Sequence, residues 1–185
     1  MSGHIVLPGQ GRRLVTKAQE VTFKVTGADG CAFSCFEVVV PPGFDVGAHT
    51  HHRSQELFYV LEGELDLLAF EPVQRTGEGW QDWESAGGDR VVRAGAGSCM
   101  FVPTGCPHAF RNPTDRPARM LFHSYPSPDH ERYFEEICEI FSAGEAVDPD
   151  AVQRLRDRYD VRQITPLRYG PPALLGAHRE TGREE

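Results

Sequence analysis

The sequence predicts an all-β protein: a single jelly-roll β-barrel with two α-helices packed on its outside. Three observations predict it. Short β-branched and aromatic runs recur through residues 21–125 with Gly, Pro, Asn or Asp between them, the pattern of antiparallel strands that close on one another rather than leave a long edge. After Tyr125 the apolar spacing lengthens from two residues to three and four, which is helical. No segment repeats another, so one barrel is expected rather than two.

Residues 1–20 read as an N-terminal extension and residues 21–126 as the barrel. Runs 21–25 and 32–40 form an opening hairpin across the segment TGADG, whose Asp-Gly pair favours a tight turn. In the second run Phe36, Val38 and Val40 alternate with Cys35, Glu37 and Val39, giving a strand with two unlike faces. Pro41-Pro42 ends it, because proline has no N–H for a ladder. Gly63 separates strands over 57–62 and 64–70 and supplies whatever positive φ the turn requires. Residues 71–89, EPVQRTGEGWQDWESAGGD, are polar, glycine-rich and without period, an inserted loop. Its Trp80 and Trp83 either pack the loop on the barrel wall or serve as a lid or protomer contact. Strands over 90–94, 98–102, 108–111 and 118–125 complete the barrel.

Ser127-Pro128-Asp129 starts a helix with the apolar stripe Phe134, Ile137, Cys138 and Phe141, ending before Gly144. A second begins at Asp148-Pro149 and carries Val152, Leu155 and Tyr159 on its apolar side, with Arg154, Arg156, Asp157 and Arg158 on the rest. The helical region spans 127–166; residues 167–185 form a polar tail, disordered from Arg179.

A length of 185 residues suits one domain. Nineteen Lys and Arg face 27 Asp and Glu, a net charge of -8, with no basic stripe for a phosphate backbone, so nucleic acid is not an expected partner. Mean hydropathy is -0.41, and no apolar run approaches the roughly 20 residues that span a bilayer. The five cysteines Cys31, Cys35, Cys99, Cys106 and Cys138 have no CxxC pairing, and the N-terminus lacks the apolar core of a signal peptide. A soluble protein of the reducing cytoplasm is expected.

Function concentrates in residues 43–63, GFDVGAHTHHRSQELFYVLEG. His49 and His51 are two apart and share a face of an extended chain, whereas His52 is out of phase and points outward. Glu56 can join them from the next strand, in phase with Phe58 and Val60. An inward carboxylate among apolar neighbours is costly to keep charged unless a cation pairs with it. Residues 97–112, GSCMFVPTGCPHAFRN, add His108. Three imidazoles and one carboxylate suit a first-row transition metal rather than thiolate-rich zinc chemistry, and Cys106 reads as a small buried filler. The plainer alternative makes these surface histidines, a solvated acid and a turn residue.

The two stretches resemble the paired motifs of the cupin superfamily. Gly43, five residues, His49, one, His51, four, Glu56, six and Gly63 fill the first; Gly97, five, Pro103, one, Gly105, two, His108, three and Asn112 fill the second. The resemblance covers about residues 21–166 and is to small single-domain bacterial cupins of the quercetin-dioxygenase-like kind, from which the long tryptophan loop departs. It implies one divalent metal held by His49, His51, Glu56 and His108: iron(II) first, with nickel, manganese, cobalt or zinc as alternatives. It implies an oxidoreductase, a dioxygenase acting on a small phenolic or enolisable molecule, with Glu56 doubling as catalytic base. A redox-neutral cyclase or isomerase of polyketide tailoring is the alternative, and a non-catalytic small-molecule-binding cupin a third. A homodimer is also implied. By strand phase Phe58, Val60, Phe101 and Phe110 are expected to line the substrate pocket, and His123 to reach it from the following strand.

Overall fold

In a computed structural model of the chain, residues 3–16, 18–126, 129–142 and 147–169 are described. Their strands are β1 (Arg12–Val15), β2 (Glu20–Val25), β3 (Ser34–Val40), β4 (His49–Thr50), β5 (Gln55–Glu62), β6 (Glu64–Ala69), β7 (Val92–Gly95), β8 (Cys99–Val102), β9 (His108–Arg111), β10 (Ala118–Tyr125) and β11 (Arg162–Gln163). They form two sheets, in the orders β1-β2-β3-β10-β5-β8 and β11-β4-β9-β6-β7. From β3 onward the chain crosses between the two sheets at every step except the β6–β7 hairpin, which is jelly-roll winding.

Alternation does most of the folding. On β10, Ala118, Met120, Phe122 and Ser124 are buried while the residues between them are partly exposed, so one face meets the core. Register then sets Phe122 opposite Phe36 of β3 and Phe58 of β5. The three rings stack across the sheet, with centroids 5.6 and 5.0 Å apart. Such contacts stabilise by about 0.5–1.5 kcal/mol each beyond the area they bury. The turn at Gly63 has φ 75, and a Cβ there would stand 3.0 Å from the Ala118 backbone; only glycine fits both demands.

The N-terminal segment holds more structure than its composition suggests, since β1 pairs with β2 as the sheet's edge. β2 and β3 pair as the expected hairpin strands, but the Asp-Gly pair does not make a two-residue turn. Residues 27–29 form a short 3-10 helix in which the Asp29 carboxylate accepts from the Thr26 N–H, and Gly30 closes it at φ 78. The tryptophan loop is packed down: Trp80 is fully buried and Trp83 nearly so. Trp80 Nε1 and Gln81 Nε2 each donate to the buried Asp45 carboxylate at 2.8 Å. The packing alternative therefore holds and the exposed-lid alternative does not.

Helices α1 (His130–Ser142) and α2 (Pro149–Arg158) lie outside the two sheets. Asp148 caps α2 by accepting from the Asp150 N–H at 2.9 Å, with Pro149 in its first turn. α1 starts at His130, just after the expected Asp129; Ser127, Pro128 and Gly144 lie outside the described residues. The helices cover the mouth of the cup, and Phe134 sets its ring 5.0 Å from that of Phe36. Beyond α2 the chain returns as β11 beside β4. Residues 167–169 are not yet tail, because Arg168 and Asp45 exchange backbone hydrogen bonds at 2.8 Å; the tail from 170 lies outside the described residues. No described helix is long and apolar enough to cross a membrane.

Candidate metal centre

Three strands from both sheets bring the motif residues to one point. His49 on β4 sits directly opposite His108 on β9, His51 follows β4, and Glu56 comes from β5 in the facing sheet. One ligand atom from each lies within 4.8 Å of every other. All four side chains are buried.

The outer nitrogens decide what the inner ones can do. Nδ1 of His49 is 2.8 Å from the Gly47 carbonyl, Nδ1 of His51 3.1 Å from that of Asp160, and Nδ1 of His108 3.1 Å from that of Cys106. A carbonyl only accepts, so each Nδ1 carries a proton, and each ring in its neutral form turns an Nε2 lone pair inward. There, Nε2 of His51 and His108 lie 3.1 and 2.9 Å from the two oxygens of Glu56, and among the described residues Nε2 of His108 has no hydrogen-bond partner. Lone pairs facing carboxylate oxygens repel unless a positive charge sits among them.

Protonating the rings would supply that charge, but burial opposes it. Burial and the adjoining imidazoles hold His49 well below the usual histidine range. Burial likewise draws His51 down to about 4, although Glu56 pulls the other way. For Glu56, burial pushes the carboxyl up, and only positive charge at the ring nitrogens of His51, His108 and His130 outweighs it and holds it well below the usual carboxylate range; with the rings neutral, that charge has to come from a bound cation. Neutral imidazoles around an ionised carboxylate fit a divalent metal of borderline softness. The backbone carbonyls on Nδ1 are the outer partners that orient such ligands.

The remaining motif positions build the frame. Gly43 N donates to the Asn112 carbonyl and Asn112 N to that of Phe44, both at 2.9 Å, so the first residue of one motif is tied to the last of the other. The Asn112 amide donates to the carbonyls of Val40 and Arg116 at 2.9 and 2.6 Å. Gly105 N donates to the His51 carbonyl at 2.7 Å. At Gly47 φ is 71, and a Cβ would lie 2.4 Å from the Thr165 carbonyl oxygen, so the carbonyl that orients His49 depends on glycine. His52 is exposed, as its phase requires.

A cavity of about 60 Å³ opens beside His49, His51 and Glu56 and is lined mostly by apolar side chains. Of the expected wall residues, Phe58 and Phe110 line it. Val60 is buried in the core but does not border it. Phe101 is corrected: it is 56% exposed. It pairs with Leu57, while its neighbour Met100 pairs with Phe58 and takes the inward position. His123 is corrected for the same reason, since Phe122 and Ser124 point inward and His123 outward, 3.6 Å from Cys35 Sγ. Burial pushes that thiol up to about 11, which makes it unreactive. Cys106 is half-buried and offers the cluster only its carbonyl.

Both helices contribute residues that the strand motifs do not announce. His130, Tyr133 and Phe134 of α1 and Arg156 of α2 line the cavity, and His130 Nε2 is 3.5 Å from Glu56 Oε1. The signal was present in the spacing. His130 precedes Phe134, Ile137 and Phe141 by four, seven and eleven residues, and Arg156 follows Val152 by four, so each lies on its helix's apolar stripe. Assigning Arg156 to the polar face put side-chain chemistry ahead of phase.

Comparison with known proteins agrees with this geometry. A family model described as Cupin matches residues 5–154. An uncharacterized protein of Methanocaldococcus jannaschii is 28% identical over 106 residues, 55% of this chain and 67% of that protein. Polyketide synthase CurC of Streptomyces cyaneus is 33% identical over 88 residues, 48% of this chain and 46% of that protein, so the match spans under half of the relative. Among solved structures, the polyketide cyclase RemF of Streptomyces resistomycificus has a TM-score of 0.52 at 22% identity, covering 68% of this chain and 81% of that one. That likeness is one of fold.

Proposed function

The chain belongs to the cupin family, and on that premise we propose that it is a mononuclear metal-dependent enzyme performing redox-neutral proton transfer on a small enolisable or phenolic substrate. The observation that carries this reading is the pairing of an inward-facing three-imidazole, one-carboxylate set with a second titratable group, His130, inside one apolar cavity. His49, His51, Glu56 and His108 would hold the metal, which supplies Lewis acidity toward a substrate oxygen when bound. Iron(II), nickel, manganese, cobalt and zinc all accept such ligands, so the donor set does not choose among them.

The protein's own residues provide the rest. Glu56 and His130, 3.5 Å apart, form a base and an acid side by side, and Nδ1 of His130 is buried without a partner among the described residues. A proton taken from one substrate atom can rest on this pair and return at another, which is the step shared by isomerisation, elimination and ring closure. The rings of Phe58, Phe110 and Phe122 keep water from that proton. Kinship to a polyketide synthase over 88 residues supports this branch above the oxygenase that the sequence puts first.

The test is to incubate the metal-loaded protein with 1,3-diketones, catechols and flavonols while following products by mass spectrometry and oxygen by electrode. Conversion without oxygen uptake is expected. His130→Asn is expected to slow it by about 10²–10⁴-fold with metal content unchanged. Oxygen consumed in step with product would replace this reading with the oxygenase one, and no conversion with any compound would leave a binding protein.

A further inference from the structure

We propose that Arg156 is the anchor for the carboxylate of a small organic acid, and that the substrate class of the cavity is the enolisable oxo acids. This rests on the metal-dependent reading above, whose failure the experiment below separates from its own. Arg156 is 3% exposed, and a guanidinium carries five N–H donors and a permanent charge. Among the described residues its side chain makes one hydrogen bond, from Nη1 to the Val46 carbonyl at 3.4 Å, and its Nε is buried with no partner. No carboxylate among the described residues makes an ion pair with it; Glu56 acts on it only through space. Burying a cation without a counter-charge is among the costlier things a fold can do. A buried charge left open on the cavity wall is explained if a ligand brings the missing partner.

Position supports the same assignment. Arg156 borders the cavity that holds His49, His51, Glu56 and His130, and the other lining side chains are largely apolar. It also borders an adjoining apolar cavity of about 40 Å³ between the helices and the first two strands. An acid held in this cavity has the guanidinium and three of the four ligands, His49, His51 and Glu56, on the wall around it. Charge balance narrows the class. With a divalent cation present, the ionised groups are that cation, one carboxylate and one guanidinium, a net excess of two positive charges. An oxo acid as its enolate carries two negative charges. The planar guanidinium fork matches a carboxylate through two parallel hydrogen bonds, and a cavity of about 60 Å³ favours small members of the class.

The experiment is calorimetric titration of the full chain, metal-loaded and metal-stripped, with pyruvate and with its neutral analogue pyruvamide. Wild type is expected to bind pyruvate at least tenfold tighter than pyruvamide in both states. Arg156→Met is expected to abolish that preference, keep its metal content, and melt no lower than wild type, since it replaces an unpaired buried charge by an apolar chain of similar length. Arg156→Gln serves as a second neutral variant that can still donate to the Val46 carbonyl, and is expected to lose the preference too. A preference for pyruvate that persists in either folded variant, or that is absent from wild type, overturns the proposal. If wild type prefers pyruvate but takes up no metal, the metal-dependent reading fails and the anchor stands.

Discussion

His130 and Glu131 are adjacent and face opposite ways. His130 turns its ring toward Glu56, while Glu131 reaches back across the fold to accept from the Gly27 N–H at 2.9 Å and the Ser34 hydroxyl at 2.6 Å. Burial pushes the Glu131 carboxyl up, and these two donors outweigh it, so its pKa in the fold lies below the usual 4.5. A carboxyl depressed in the fold contributes stability that is complete above its unfolded value and is lost as pH falls from there through its folded value. The melting temperature should therefore drop as pH goes below about 4.5, and Glu131→Gln should flatten that part of the curve. An unchanged slope in the variant would remove Glu131 from the tether. At this scale the buried cluster was legible because strand phase selected His49, His51 and Glu56 and the spacing of the second motif added His108. Phe101 and His123 were not, since shifting the parity of a short strand by one residue reverses every side chain on it.

Among the elements, the turn that follows α2 holds the His51 imidazole in place. Asp160 adopts φ 63, a left-handed conformation that aspartate tolerates better than most residues. Its carbonyl accepts from His51 Nδ1, and its carboxylate accepts from the backbone N–H groups of His52 and Arg53, each at 2.8 Å. A helix far along the chain thus orients a ligand on a strand. Asp160→Ala removes the two carboxylate bonds and is expected to weaken metal affinity about 10–100-fold, measured by competition with a chelator; undiminished affinity would show that β4 holds His51 unaided. The strands over 108–111 and 118–125 were legible to the residue because Pro107 and Asn112 bound the first and Pro117 and Pro126 the second. β1 was not, since its four residues RRLV carry little period and gain their conformation from β2.

Across the whole molecule, two sheets supply the ligands and two helices complete the cavity. Apolar periodicity gives an element a face but does not say what that face will meet. The barrel was therefore readable from the sequence, whereas the placement of α1 and α2 over its mouth was not, and with it went the roles of His130 and Arg156. The tryptophan loop shows the same limit, because its burial depends on Asp45, 35 residues away. The central claim is that three Nε2 atoms and the Glu56 carboxylate converge on one cation inside this cup. Its most direct test is metal analysis of the purified protein, alongside His51→Ala and His108→Ala, with X-ray absorption at the edge of the bound metal. The account predicts about one divalent metal per chain, imidazole nitrogens and a carboxylate oxygen in its shell, and near-complete loss of metal in both variants. Wild-type protein that takes up no divalent metal, or variants that hold it as fully as wild type, would contradict it.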